Sequence, residues 1–277
     1  MVFIDRGTVA DLDDIKRFPM AEGDLLVVGF PKSGTSWLQV MITNLWDDWN
    51  TCGELRKVPS LHGGNTFAGH YYGYVDCLAL ASPRLMKTHL PLELMPSAWP
   101  EHGKVVHITR NPKDVCISLY HELRHMQRTD PNAQLSADAF DDYFEKFLAG
   151  EVPWGPYPES VLGWHSFDHP NLLKVTYEEA RTDAAGVLEQ IVAFVGRPVP
   201  AGRVAEVVRS TEFSAMKASG VRHQINHPDM REDTDAPFMR KGIVGDWREV
   251  FSPEQDERFE RSIVAPLHTA GLDLVYG

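Results

Sequence analysis

Four short apolar runs, Leu25 to Phe30, Arg84 to Thr88, Lys104 to Thr109 and Leu172 to Thr176, alternate along the chain with longer stretches of helical periodicity. Each run is apolar or β-branched and is followed by turn chemistry, the pattern of a buried strand. Strands that alternate with helices pair in parallel, because a parallel neighbour is reached only through a crossover connection. Helical patterns read at Thr35 to Leu45, Pro112 to Met126, Ala137 to Leu148, Thr182 to Val195 and Ser252 to Ala270. Asn111 and Pro112 supply an N-cap and an N1 residue for the second of these, and Gly196 stands where the fourth needs a C′ residue. No internal repeat, charge block or Gly/Ser linker divides the 277 residues. The expected architecture is a single α/β domain over residues 1–277, a central parallel sheet flanked by helices. Ligands of such sheets bind at the carboxyl ends of the strands, so the residues just after each run carry the functional reading.

Charge and cysteine content narrow the function classes. The chain has 27 Lys and Arg against 39 Asp and Glu, a formal charge of −12, which argues against a broad phosphate-neutralising face and against a nucleic-acid partner. An anionic ligand therefore needs a local cationic pocket. Cys52, Cys77 and Cys116 are far apart and form no C-x-x-C, which points away from a disulfide framework or a thiolate zinc site and fits a reducing cytoplasm. The first residues, MVFIDRGTVADLDD, are acidic and carry no secretory apolar stretch, and no apolar run approaches the ~20 residues that span a bilayer. No membrane partner is expected.

After the first strand comes Gly29-Phe30-Pro31-Lys32-Ser33-Gly34-Thr35-Ser36-Trp37, with the G-x-x-x-x-G spacing of a Walker A loop and Ser36 in the Ser/Thr place. Thr35 stands where the Walker lysine belongs, and the cation is instead Lys32, inside the loop. Glycines at these positions let several N–H groups and the following helix N-terminus converge on an anion. The strand Lys104 to Thr109 runs into Arg110 rather than the Asp that would help hold Mg²⁺, so the loop suits an anion without a metal. A glycine-containing turn with an exposed lysine is the structural alternative.

The other candidates fall at strand ends. Lys87 and His89 close the second strand two residues apart, which puts a cation and a base on one side if the chain stays extended. Arg110 begins the turn into a helix that carries Ser118 about two turns in, and Arg240-Lys241-Gly242 is a dibasic pair before a glycine in an acidic region. Taken singly, His89 reads rather as a structural histidine and the Arg110 turn rather as an ordinary helix cap, while the dibasic pair reads equally as a solvated turn.

Together the segments FPKSGTSW, LMKTHLP, RNPKDVCIS and FMRKGIVGDW, with lesser matches at VTYEE and TEFSAMK, resemble the cytosolic sulfotransferase family from about residue 25 to 260. The resemblance implies a nucleotide-kinase-like fold and transfer of a sulfonate from 3′-phosphoadenosine 5′-phosphosulfate (PAPS) to a hydroxyl or amine of a small acceptor. It also implies a metal-independent reaction that leaves adenosine 3′,5′-bisphosphate (PAP). By that resemblance Lys32, Ser33, Gly34, Thr35 and Ser36 hold the 5′-phosphosulfate, Trp37 stacks on adenine, and Tyr177, Thr211 and Phe213 complete the adenine pocket. Arg110, Ser118, Arg240, Lys241 and Gly242 bind the 3′-phosphate. His89 is the general base, and Lys32 and Lys87 stabilise the leaving group. These residue types suit the chemistry, since an in-line transfer from a mixed anhydride needs positioning and charge stabilisation above all.

Two stretches depart from the family pattern. Its dimerisation motif, K-x-x-x-T-V-x-x-x-E, falls on Arg248, Ser252, Pro253 and Glu257, so the central Thr-Val is Ser-Pro and the dimer does not carry over. The acceptor stretch from Val58 to Ser82 diverges after KVPSLHGG, and Phe67, Tyr71, Tyr72 and Tyr74 read either as an aromatic-lined acceptor pocket or as core packing. Lys217 to Arg240 reads as a flap or as a long surface loop. Three rival functions remain. His121-Glu122-Leu123-Arg124-His125 matches the zincin H-E-x-x-H, with Glu145 as a third ligand. A small-molecule kinase shares the loop but lacks its lysine before Ser36, and a non-catalytic nucleotide-binding module leaves the Lys87 and His89 pair unused.

Overall fold

Parallel pairing orders the sheet as β2-β1-β3-β4, with β1 at Leu25–Val28, β2 at Leu85–Thr88, β3 at Lys104–Thr109 and β4 at Leu172–Thr176. The structure is a computed structural model and describes residues 12–50, 73–129, 139–218 and 241–277. Register sets Val28 opposite both Thr88 and His107, and Thr109 opposite Thr176, so all four strands end at one edge. Strand side chains alternate between two cores. Leu25, Val27, Leu85, Val106 and Ile108 face α2 (Thr35–Leu45) and the helix Ala184–Val195. Leu26, Val28, Met86 and Val105 face α4 (Pro112–Thr129), the helix Phe140–Leu148 and the helix Tyr157–Ser166. Helices thus cover both faces, as the alternation of strands and helices requires.

Differences from the sequence expectation have local causes. The first strand stops at Val28, because a Cβ on Gly29 would lie 2.5 Å from the Ile108 carbonyl oxygen and the chain must begin to turn there. The second begins at Leu85, since Arg84 makes only an isolated bridge to Asn50. The fourth expected helix begins at Ala184: the Asp183 side chain accepts from the Gly186 N–H at 2.8 Å as N-cap, and Thr182 closes a separate short helix, Tyr177–Thr182. Gly196 ends it in the left-handed region, at φ 75°. The helix expected from Ser252 is broken by a π turn at Glu260–Val264, just ahead of Pro266, which has no N–H to donate to the preceding turn. Short helices at Leu12–Lys16, Tyr74–Ala79 (α3), Arg203–Ser210 and Phe213–Ala218 span too few residues to show a period. Among the described residues no helix is long and apolar enough to cross a membrane.

Ahead of β2 lies a buried ion pair. The Asp24 carboxylate accepts from Arg84 Nε at 3.1 Å and from the Arg84 backbone N–H at 3.1 Å, and Arg84 Nη1 donates to the Cys77 carbonyl at 3.1 Å. The Phe18 ring lies 4.7 Å beneath the guanidinium. Both side chains are almost fully buried, so removing one leaves an uncompensated charge in the core. Asp24→Ala is expected to lose about 3–5 kcal/mol in urea unfolding with an unchanged m-value, a cost typical of breaking a buried pair. A loss below ~1 kcal/mol would place the pair among those that add nothing measurable.

Candidate functional site

Chain leaves β1 toward β2 on one side and reaches β3 on the other, so the loop 29–34 sits at the switch point of the sheet. Two glycines are dictated there. Gly29 crosses Ile108 too closely for a Cβ, and Gly34, at φ 99°, would drive one to 2.7 Å from the Tyr177 ring. Lys32 is also left-handed, at φ 69°, a conformation that costs a residue with a Cβ. Gly34 caps α2 with no side chain, which leaves the first N–H groups of that helix directed outward. Ser33 is fully buried, and its Oγ has no hydrogen-bond partner among the described residues.

Cations gather around this loop. Lys32 Nζ lies 2.9 Å from Glu122 Oε2. Arg110 Nη1 donates to the Lys32 carbonyl at 3.1 Å, its guanidinium lies 4.2 Å over the Tyr177 ring, and its Nε is buried without a partner among the described residues. Asp114 stands 3.7 Å from Arg110 Nη2, and its two oxygens accept the backbone N–H groups of Gly245 at 2.9 Å and Trp247 at 3.1 Å. Asp114, Ser118 and Glu122 are spaced at i, i+4 and i+8 on α4 and so share one helical face, which meets Arg110 at one end and Lys32 at the other. Lys241 pairs with Asp246 at 2.7 Å and Glu249 at 2.5 Å, while Gly242, at φ 66°, packs so closely on Phe213 that a Cβ would meet the ring at 2.5 Å. Arg240 lies outside the described residues.

On the far side of α2 the aromatic residues meet. Trp37 Nε1 donates to the Thr211 carbonyl at 2.9 Å, and its ring stands edge-on to Tyr177 at 5.7 Å. Arg181 lies 5.6 Å over Trp37. Trp37, Tyr177, Thr211, Phe213 and Gly242 therefore form a continuous wall beside the glycine loop.

His89 completes the edge. Its Nδ1 is 2.6 Å from the Gly29 carbonyl oxygen. A carbonyl only accepts, so Nδ1 carries the proton and Nε2 keeps its lone pair. Trp154, at φ 67°, stands edge-on to the imidazole at 5.7 Å. Burial pushes the His89 pKa down to about 4, the Lys87 and Lys32 charges push the same way, and the bond to Gly29 opposes them. Both lysines thus act on one imidazole, which is neutral throughout the physiological range. Glu178, which accepts the Asn111 N–H at 3.0 Å, is raised by burial to about 7.

Several sequence alternatives are corrected. In the H-E-x-x-H segment Glu122 is paired with Lys32, and Glu145 is gripped by Arg258 through bonds of 2.6 and 2.7 Å that hold its carboxyl below the usual range. His121 packs edge-on against Tyr120, the His125 side chain lies outside the described residues, and no group of three potential ligands occurs among those described. Tyr74 takes the packing alternative: its hydroxyl donates to the Asp14 carbonyl at 3.0 Å and its ring packs on Phe18. Phe67, Tyr71 and Tyr72 lie outside the described residues, as does most of the stretch from Lys217 to Arg240. Of the altered dimer motif, Arg248 binds the carbonyls of Tyr276 and Gly277, Ser252 caps the helix that Pro253 begins, and Glu257 faces Arg261 at 3.9 Å. Sequence reading missed the partners Asp114, Trp154 and Arg181, and set Glu122 in a metal-ligating pattern instead of beside Lys32. The i+4 ladder from Arg110 through Asp114, Ser118 and Glu122 was the available signal for Asp114 and Glu122.

A glycine loop at a sheet switch point, with Lys32 and Arg110 beside it and aromatic residues near the start of α2, is the layout of an α/β protein suited to an anionic ligand. The chain belongs to the sulfotransferase family: the family model described as sulfotransferase domain matches residues 22–271. It is 33% identical to sulfotransferase 1A1 of Canis lupus familiaris, across 94% of this chain and 89% of that protein. It is 32% identical to sulfotransferase 1E1 of Bos taurus, across 91% and 86%. The fold is similar to the crystal structure of mouse sulfotransferase SULT7A1 complexed with PAP, at TM-score 0.74 and 30% identity over 93% of this chain and 89% of that one. Retinol dehydratase in complex with androsterone and inactive cofactor PAP matches at TM-score 0.77 and 26% identity, over 95% and 85%.

A lone pair on a half-buried neutral imidazole has a direct spectroscopic signature. In an NMR titration the His89 ring signals are expected to stay flat from pH 8 to about 5.5 and to move only on approach to pH 4, where the depressed pKa lies. Titration of His89 near 6.5 would contradict the burial and the two-lysine field.

Proposed function

We propose that this enzyme transfers a sulfonate from PAPS to a hydroxyl or amine of a small apolar or aromatic acceptor, with His89 as general base and Lys32 and Lys87 stabilising the leaving group. The observation that carries the reading is the His89 bond to the Gly29 carbonyl, which commits Nδ1–H and leaves Nε2 as a base beside the anion loop. Support for the donor comes from structural relatives solved with PAP and from the fit of the loop. Ser33 Oγ and Arg110 Nε are buried donors that lack acceptors among the described residues, and Gly29, Gly34 and Gly242 are places where a Cβ would fill the cradle. In this reading Lys32, Ser33, Gly34, Thr35 and Ser36 hold the 5′ side. Trp37, Tyr177, Thr211 and Phe213 hold the base, and Arg110, Ser118, Arg240, Lys241 and Gly242 hold the 3′-phosphate. The donor supplies an activated sulfonyl group whose leaving group is a phosphate.

The protein's own groups do the remainder. Lys32 exchanges Glu122 for the anion, and Lys241 exchanges Asp246 and Glu249. Lys32 and Lys87 are the two charges that depress His89. Negative charge arriving beside them offsets that field, so His89 becomes a stronger base as the site fills. Its Nε2 accepts the acceptor proton while Nδ1–H stays on Gly29, which holds the ring in one orientation. Trp154 closes one side of the imidazole, in keeping with an apolar acceptor, and relatives crystallised with androsterone or retinol point the same way. A cytoplasmic setting accords with Cys116, a buried thiol outside any disulfide. No nucleic-acid or membrane partner belongs to this reading.

Labelled sulfonate supplied as PAPS, offered to phenols, steroids, alcohols and amines with EDTA present, tests the whole proposal. Label should pass to at least one acceptor class, and chelation should leave the rate unchanged. Metal-dependent turnover would remove the reading. His89→Ala is expected to lower kcat by about 10²–10⁴-fold, the usual share of a general base, while PAP affinity stays within about twofold. Parallel loss of nucleotide binding would make His89 structural instead.

A further inference from the structure

Beyond its last helix the chain runs extended from Leu272 to Gly277, with Leu272 and Leu274 turned inward and Asp273 and Val275 outward. Its end closes on the turn Asp246–Glu249, which follows the loop 241–245. Trp247 Nε1 donates to the Tyr276 carbonyl at 2.9 Å, Arg248 Nη1 donates to the same oxygen at 2.7 Å, and Arg248 Nη2 donates to the Gly277 carbonyl at 2.5 Å. The Lys113 ammonium sits between the Trp247 and Tyr276 rings, 4.0 and 5.5 Å from their centres. Gly245 lies so near that a Cβ there would meet Gly277 Cα at 3.4 Å. On the opposite side Asp114 holds the Gly245 and Trp247 N–H groups and faces Arg110, which itself donates to the Ile243 carbonyl at 3.4 Å. The loop 241–245 is therefore clamped between Asp114 and the extended segment.

We propose that Leu272–Gly277, acting through Trp247 and Arg248, is a positioning element that sets the preference for a 3′-phosphorylated nucleotide without touching it. The inference rests on the reading of Arg110, Lys241 and Gly242 as the 3′-phosphate site. The segment fixes the backbone of 241–245 relative to Arg110, two groups more than a hundred residues apart that must meet one phosphate. A phosphate held by convergent donors is sensitive to small displacements of either side. The rest of the nucleotide site, around Trp37 and Thr211, makes no bond to this segment among the described residues, so the clamp acts on one end of the ligand. Arg248 also explains why the altered dimer motif need not serve a second copy: its guanidinium is engaged within its own chain.

Calorimetry with PAP and AMP on the wild type, Arg248→Ala, Trp247→Phe and the double variant tests this. Trp247→Phe keeps an aromatic ring over Lys113 while removing the indole N–H together with part of the ring system. The double variant should bind PAP about tenfold more weakly, as expected for the loss of three modest hydrogen bonds, with AMP affinity within about twofold. Arg248→Lys, which keeps one donor, should recover part of the difference, and amide hydrogen exchange over 241–245 should quicken in the order of the PAP losses. An unchanged PAP-to-AMP ratio in the single and double variants overturns the proposal, as does equal weakening of both nucleotides. Equal affinity of the wild type for PAP and AMP instead overturns the 3′-phosphate reading itself, before any variant is compared.

Discussion

The Asp114 carboxylate is the interaction on which the site's geometry turns. It is buried in the first turn of α4, takes two backbone N–H groups from Gly245 and Trp247, and faces Arg110 across 3.7 Å. A carboxylate in such a position must be satisfied, and here satisfying it ties together two chain segments that also meet through Arg110 with the Ile243 carbonyl and Lys113 with the Trp247 ring. One comes off the end of β3, and the other lies 131 residues further along, at Gly245. The sheet alone brings the loop 29–34, His89 and Arg110 to one edge, because parallel register aligns the strand ends. It does not bring the loop 241–245, and Asp114 does.

A chain of net charge −12 keeps its site cations partnered. Lys32 is matched by Glu122, Arg110 by Asp114, and Lys241 by Asp246 and Glu249. Anion binding at such a site is an exchange of one negative partner for another rather than the filling of a bare positive field. The exchange lowers affinity relative to an uncompensated pocket, but it spares the empty site the repulsion among like charges. Glu122 is instructive in this respect. Read along the chain it belongs to a metal-ligating pattern, whereas in three dimensions it faces a lysine 90 residues away.

What the sequence made legible was mostly local. Thr35–Leu45, Lys104–Thr109 and Leu172–Thr176 form as read, because each has uniform periodicity and a clear cap or turn at its ends. The six-residue helices α3, Tyr177–Thr182 and Phe213–Ala218 were not legible, since they are shorter than two turns and are set by packing. Loop and strand-end residues Lys32, His89 and Arg110 were identified from motif order, and the structure draws them together. Charge pairing was the hidden part. Whether Glu145 meets a metal or Arg258, and whether Tyr74 lines a cavity or rests on Phe18, depends on distant partners that periodicity does not encode.

Lys32 and Trp154 share a property that has little to do with their neighbours: both hold a left-handed backbone that glycine would adopt freely. At each position the side chain is kept against the conformational preference of its own main chain. A library screened for heat resistance alone would therefore be free to drift toward glycine at 32, whereas at 154 the buried indole keeps its place, because losing its packing costs several-fold more than the backbone would recover. Under the proposed role of Lys32, thermal selection and sulfonate transfer pull position 32 in opposite directions, whereas at 154 the packing that holds the ring also holds the wall beside His89.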